Sequence, residues 1–125
     1  MSSVLKAFNN HLLEFIEDVI RIFPNNLDIK TGKTFIEGVK RVNPKKIITY
    51  WRDNILALYE KEILEEDITF FVNKDYRNDI GTESQTLKVL EDIRVLVRGT
   101  TKENKEKAMK YLQNLTKLCK LYFSD

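Results

Sequence analysis

The chain is poor in the residues that most site chemistries require. One cysteine, Cys119, and one histidine, His11, occur in 125 residues. A lone cysteine excludes an intrachain disulfide, and it fits a reducing compartment. One histidine and one cysteine cannot build a usual structural zinc site. A Ser-His-Asp or Cys-His arrangement would have to use His11. His11 stands early in a helical pattern, three residues before Glu14, and reads as a helical boundary residue. Cys119 falls on an apolar stripe, which favours a buried thiol over a reactive one.

Long apolar runs are also missing. No stretch approaches the roughly 20 residues that cross a bilayer. The first ten residues carry one lysine and no apolar core, unlike a secretory leader. An intracellular protein without a membrane partner is the expectation. Net charge is small as well, +2, with 42% hydrophobic and 32% charged residues. That balance is globular and well solvated.

What is present is helical periodicity. Val4, Leu5, Phe8, Leu12, Phe15, Val19 and Ile22 recur three and four apart, so they share one face of a first helix. Ser2 or Ser3 can cap it and Pro24 ends it. Asn25 and Asn26 form a turn. Asp28 is the expected cap of a second helix running to about Val42, with Ile29, Ile36 and Val39 inward. Gly32 and Gly38 weaken that helix by roughly 1 kcal/mol each relative to alanine. Asn43-Pro44 reads as a cap followed by proline at the first helical position. The third helix carries Ile47, Ile48, Trp51, Ile55, Leu58 and Tyr59 inward and extends to Leu64.

Ile68-Thr69-Phe70-Phe71-Val72 would suit a strand, but no partner strand is evident. A short helix capped by Asp67, then a loop through Gly81, is the expectation. A further helix runs from about Glu83 to Val97 on Leu87, Leu90, Ile93, Leu96 and Val97, closed by Gly99 in a left-handed stop. Thr100 to Glu103 fits a capping box. The last helix points Ala108, Leu112, Leu115, Leu118, Cys119 and Tyr122 inward. No repeat or linker divides the chain. The expected fold is all-α: a single domain over residues 1–125, a compact bundle of five to six helices.

Two motifs touch on chemistry. Thr31-Gly32-Lys33-Thr34 contains the end of a phosphate-binding loop, but Leu27 stands where its first glycine belongs and no strand precedes it; a polar helical turn is expected. Glu60, Glu62, Glu65, Glu66 and Asp67 form a solvated acidic face and lack the calcium-loop pattern. No catalytic residue, metal ligand, cofactor or small-molecule substrate is therefore assigned, and the chain is not expected to be an enzyme; a carboxylate-bound metal is the remaining enzymatic alternative.

Binding surfaces are better represented. From Lys30 to Arg52 the bases Lys30, Lys33, Lys40, Arg41, Lys45, Lys46 and Arg52 face one acid, Glu37. Lys40, Arg41, Lys45, Lys46 and Arg52 are candidate contacts for nucleic acid or another anion, and Tyr50 could stack on a base; Trp51 belongs to the apolar stripe. Seven phenylalanines, five tyrosines and one tryptophan suggest more aromatic surface than one small core can hide. Leu121, Tyr122 and Phe123 are candidate partner contacts on that basis. The leading expectation is a non-enzymatic protein that binds a protein partner or itself, and the alternative is a nucleic-acid-binding protein.

Several segments carry a resemblance: Lys6-Ala7-Phe8-Asn9-Asn10, Arg21-Ile22-Phe23-Pro24-Asn25, Val42-Asn43-Pro44-Lys45, Phe70-Phe71-Val72-Asn73-Lys74-Asp75-Tyr76 and Lys110-Tyr111-Leu112-Gln113-Asn114-Leu115-Thr116-Lys117-Leu118. They are similar to a family of small, uncharacterised all-helical proteins encoded by large double-stranded DNA viruses of algae and other protists. The resemblance implies a viral protein working in an infected host's cytoplasm, in a virus factory or in a virion. It brings no activity and no site residues with it.

Overall fold

The computed structural model describes residues 3–65 and 85–124, and these are helical almost throughout. The stretch expected to hold Asp67 to Tyr76 and the loop to Gly81 lies outside the described residues, as does the expected start of the following helix at Glu83. No strand occurs among the described residues, and no described helix is long and apolar enough to cross a membrane. The fold is an all-α bundle.

Helix α1 (Ser3–Ile22) buries Leu5, Phe8, Leu12, Phe15, Ile16 and Val19. Its last turn closes through the Phe23 N–H to the Val19 carbonyl, 2.9 Å, just before Pro24. Helix α2 (Leu27–Val42) is capped by Asn26, whose Oδ1 accepts from the Ile29 N–H at 3.0 Å. Asp28 was the expected cap; it sits instead in the first turn, where its charge complements the exposed amides. The cap falls at Asn26 because that residue keeps the extended backbone a cap requires. Gly32 is buried where Val89 packs on the α2 backbone: a Cβ there would lie 3.2 Å from Val89 Cγ2.

Asn43 ends α2, its N–H bonded to the Val39 carbonyl, rather than starting the next helix. Pro44 accordingly stands outside helix α3 (Lys46–Trp51), not at its first position, and Pro44 O accepts from Asn9 Nδ2 at 2.9 Å. Helix α3 runs directly into a π-helical stretch (Arg52–Leu56) and then into α4 (Ala57–Leu64). The π stretch has a cause in the sequence. Ile47, Trp51, Ile55, Tyr59 and Ile63 are all buried, and they recur strictly every fourth residue. In an α-helix each such step overshoots one turn by about 40°, so a uniform helix would swing Ile63 by roughly 160°. Wider winding turns less per residue and takes back part of that drift. Asn54 Nδ2 donates to the Tyr50 carbonyl at 3.2 Å within this stretch. Leu58, expected inward, is about half exposed, because the altered winding leaves Tyr59 alone on the inner line.

Helix α5 (Gln85–Arg98) buries Val89, Ile93 and Val97. Gly99 follows it without adopting a left-handed backbone; the Thr100 N–H bonds to the Val97 carbonyl at 3.2 Å in its place. Helix α6 (Lys102–Tyr122) begins at Thr101, whose hydroxyl accepts from the Asn104 N–H at 3.2 Å. The expected box of Thr100 and Glu103 is thus displaced by one residue, and Asn104 also donates to the Thr100 hydroxyl.

The buried residues of all these helices form one core. Trp51 sits at its centre, edge-on to Phe8 at 5.8 Å, with its indole N–H donating to the Thr116 hydroxyl at 3.2 Å. Directions follow from the ties. Glu17 meets Lys33 and Asn10 meets Lys40, so α1 and α2 are antiparallel. Ile48 O meets Cys119, Trp51 meets Thr116 and Ile63 O meets Gln113, so α6 runs against α3 and α4. One end of the bundle therefore gathers the start of α1, the end of α2, the start of α3 and the end of α6.

The two α2 glycines should respond differently to alanine. A Cβ at Gly38 meets nothing within 4 Å, so Gly38→Ala should stabilise by about 1 kcal/mol. Gly32→Ala must push Val89 aside, so its urea midpoint should rise less than that of Gly38→Ala, or fall. Equal gains would show that α5 rests loosely on α2.

Candidate functional site

The end just defined is basic. Lys40 and Arg41 occupy the last turn of α2, where cations complement the helix dipole. Lys45 and Lys46 open α3, whose start has neither an acid in its first turn nor a side-chain cap. There two positive charges oppose the dipole, so local helix electrostatics does not account for them. Arg41, Lys45 and Lys46 are exposed, and none enters an ion pair among the described residues. Lys40 Nζ donates to Asn10 Oδ1 at 2.6 Å. The fold adds Lys6, exposed and one turn before Asn9 and Asn10 on the same face of α1. Lys6 lies far from the other lysines in sequence, and the antiparallel pairing of α1 with α2 is what brings it to this end.

Arg52 differs from the other candidates. Its Nε donates to Asp53 Oδ1 at 2.8 Å, and its guanidinium lies 4.4 Å over the Phe123 ring. The bond to Asp53 raises its pKa further above the ordinary arginine value. Arg52 is therefore held by its own neighbours. Tyr50, the candidate stacking residue, is half-buried against the core, and Trp51 is buried.

Of the candidate partner contacts, Leu121 is exposed, whereas Tyr122 and Phe123 pack against the core. The expected aromatic surplus does not reach the surface here: no aromatic side chain among the described residues is exposed. Phe70, Phe71 and Tyr76 lie outside those residues. Among the described residues the exposed large apolar side chains are aliphatic: Leu27, Val42, Leu58, Leu64, Val95, Leu121 and Ile22, which was expected on the inner face of α1 but stands at its last position. Leu27 and Val42 stand at opposite ends of α2, and single exposed aliphatics of this kind are common on soluble domains.

The reactive side chains are engaged structurally. His11 sits between α1 and α6, its ring 4.9 Å from that of Tyr111 and its Nδ1 3.9 Å from Glu14. Its Nε2 is buried and has no hydrogen-bond partner among the described residues. Tyr111 donates to the Asp18 carboxylate, which also pairs with Arg21. A cavity of about 140 Å³ lies beside them, floored by Phe15, Val19 and Val97. Small-molecule sites usually offer roughly 300 Å³ or more, so this one is small for a substrate. Thr31 to Thr34 lie inside α2, and Glu60 pairs with Lys120. No three His, Cys, Asp or Glu side chains among the described residues stand close enough to share a metal ion.

No protein-family model, curated protein or solved structure matches the chain.

Cys119 is fully buried, and burial, its largest influence, pushes the thiol up to about 11. Burial, then the bond to Asp18, moves Tyr111 in the same direction. A raised folded-state pKa stabilises the fold below the ordinary value and loses that contribution as pH climbs. Urea midpoints should therefore fall from about pH 8.5 upward, and Tyr111→Phe should lessen the fall above about pH 10, where Cys119 still contributes up to about pH 11. In the native protein Cys119 should react with a thiol reagent no faster than the chain unfolds. Prompt labelling at neutral pH would contradict its placement.

Proposed function

We propose that this chain is a non-enzymatic binding protein whose working face is the basic end of the bundle, and that its partner is a nucleic acid. The observation that carries this is the grouping of Arg41, Lys45 and Lys46, exposed and without ion pairs among the described residues, beside Lys40. Unneutralised cations held at fixed helix ends attract phosphates and release counterions on binding. Association should be measurable at about 50 mM salt and weaken steeply by about 200 mM. Lys45→Glu with Lys46→Glu should abolish it without lowering the melting temperature, since acids at the start of α3 complement the helix dipole. Undiminished binding by that variant would refute the assignment of this face.

A second reading has its own support. Among the described residues Leu27 and Val42 are the most exposed large apolar side chains, and Leu121 is also open; together with the resemblance to proteins of large DNA viruses, they favour a protein-binding or structural component of a virion or virus factory. Light scattering on the eluting protein should then show a dimer or larger species, reduced by Val42→Lys. A monomer at all concentrations, with no bound protein, speaks against it.

A further inference from the structure

We infer that the basic end engages double-helical nucleic acid through its phosphates, without reading base sequence. The inference rests on the nucleic-acid reading of that face and adds which form of nucleic acid it takes and by what contacts.

Proteins that hold single strands combine a cationic groove with aromatic rings on which bases stack. Among the described residues, the rings nearest this end are not available for that. Phe8 and Trp51 are buried against each other. Tyr50 packs on the core, and Phe123 is covered by the Arg52 guanidinium. What the end does present are charges on rigid supports. Lys6 stands on α1, Lys40 and Arg41 on α2, Lys46 on α3 and Lys45 at its N-cap. Asn9 ties α1 to the turn before α3, and Asn10 ties it to the end of α2. Fixed point charges suit a duplex, whose phosphates are themselves regularly spaced.

Sequence readout needs side chains free to present paired donors and acceptors to base edges. Asn9 is buried and donates to the Pro44 carbonyl, while Asn10 accepts from Lys40. Most of the remaining groups are lysines, which act on phosphate as point charges. Phosphate contacts position a protein on a duplex but carry no sequence information directly.

Anisotropy titrations with two short duplexes of unrelated sequence, and with a single strand of equal length, test this directly. Taking Lys6, Arg41, Lys45 and Lys46 as four phosphate contacts, the slope of log affinity against log salt should be about −3.6, or roughly a 150-fold loss between about 50 and about 200 mM. Both duplexes should bind within about threefold of each other, and the single strand more weakly, as expected for phosphate contact without base stacking. Lys6→Gln should reduce the slope by about 1 for both duplexes alike, with an unchanged circular-dichroism melt. Single-strand binding as tight as duplex binding, or a preference above about tenfold for one duplex, overturns the inference and leaves the basic end as a binding face. Absence of binding to every probe overturns both this inference and the nucleic-acid reading beneath it.

Discussion

The segment from Lys46 to Leu64 must keep one face on the core although its large apolar residues repeat every four positions, and much of the bundle follows from how it does so. An α-helix alone would carry the far end of that line away from the core. The π stretch at Arg52–Leu56 holds Ile47, Trp51, Ile55, Tyr59 and Ile63 in place. With Trp51 fixed, its N–H reaches Thr116, and Cys119 approaches the Ile48 carbonyl. Those two bonds set the register of α6 against α3. A buried indole N–H without an acceptor would cost about 1–3 kcal/mol, so Thr116 is a polar residue the core requires.

The helices themselves were legible in the sequence wherever apolar spacing was regular and long. Apart from Ile22 and Leu58, which are exposed, the stripes of α1, the third segment and α6 match residues that are buried or half-buried. Boundaries were less legible. Asp28, Asn43 and Thr100 each have the chemistry of a cap, yet the caps are Asn26, Lys45 without a side-chain bond, and Thr101. Several polar residues near a helix start can each accept an amide, and backbone geometry selects among them. The strict fourfold spacing from Ile47 to Ile63 did carry the signal for altered winding, because no α-helical stripe keeps that period over five residues. Gly32 could be read as a weak point from sequence, but its reason is the approach of Val89, a residue 57 positions away that local pattern cannot place.

The candidate site divides in the same way. Lys40, Arg41, Lys45 and Lys46 are neighbours in sequence and stay neighbours in space, so their clustering was visible at once. Whether each is engaged was not. Arg52 belongs to the same run, yet Asp53 and Phe123 hold it. Lys6 joins the face solely through helix pairing. Among the described residues the aromatic count proved a poor guide to surface, because half-buried rings such as Tyr111 and Phe123 stack on other side chains inside the fold. Composition counts rings; it does not count the rings and guanidinium groups available to cover them.

Lys45 and Lys46 stand where α3 already presents positive amide ends. The fold thus carries a local repulsion that no acid among the described residues neutralises by an ion pair. Occupation of this spot by any counter-charge relieves that repulsion in the folded state and has far less to relieve in the unfolded chain. An anion that bound at this junction would therefore couple to the folding equilibrium and raise the melting temperature as its concentration rose.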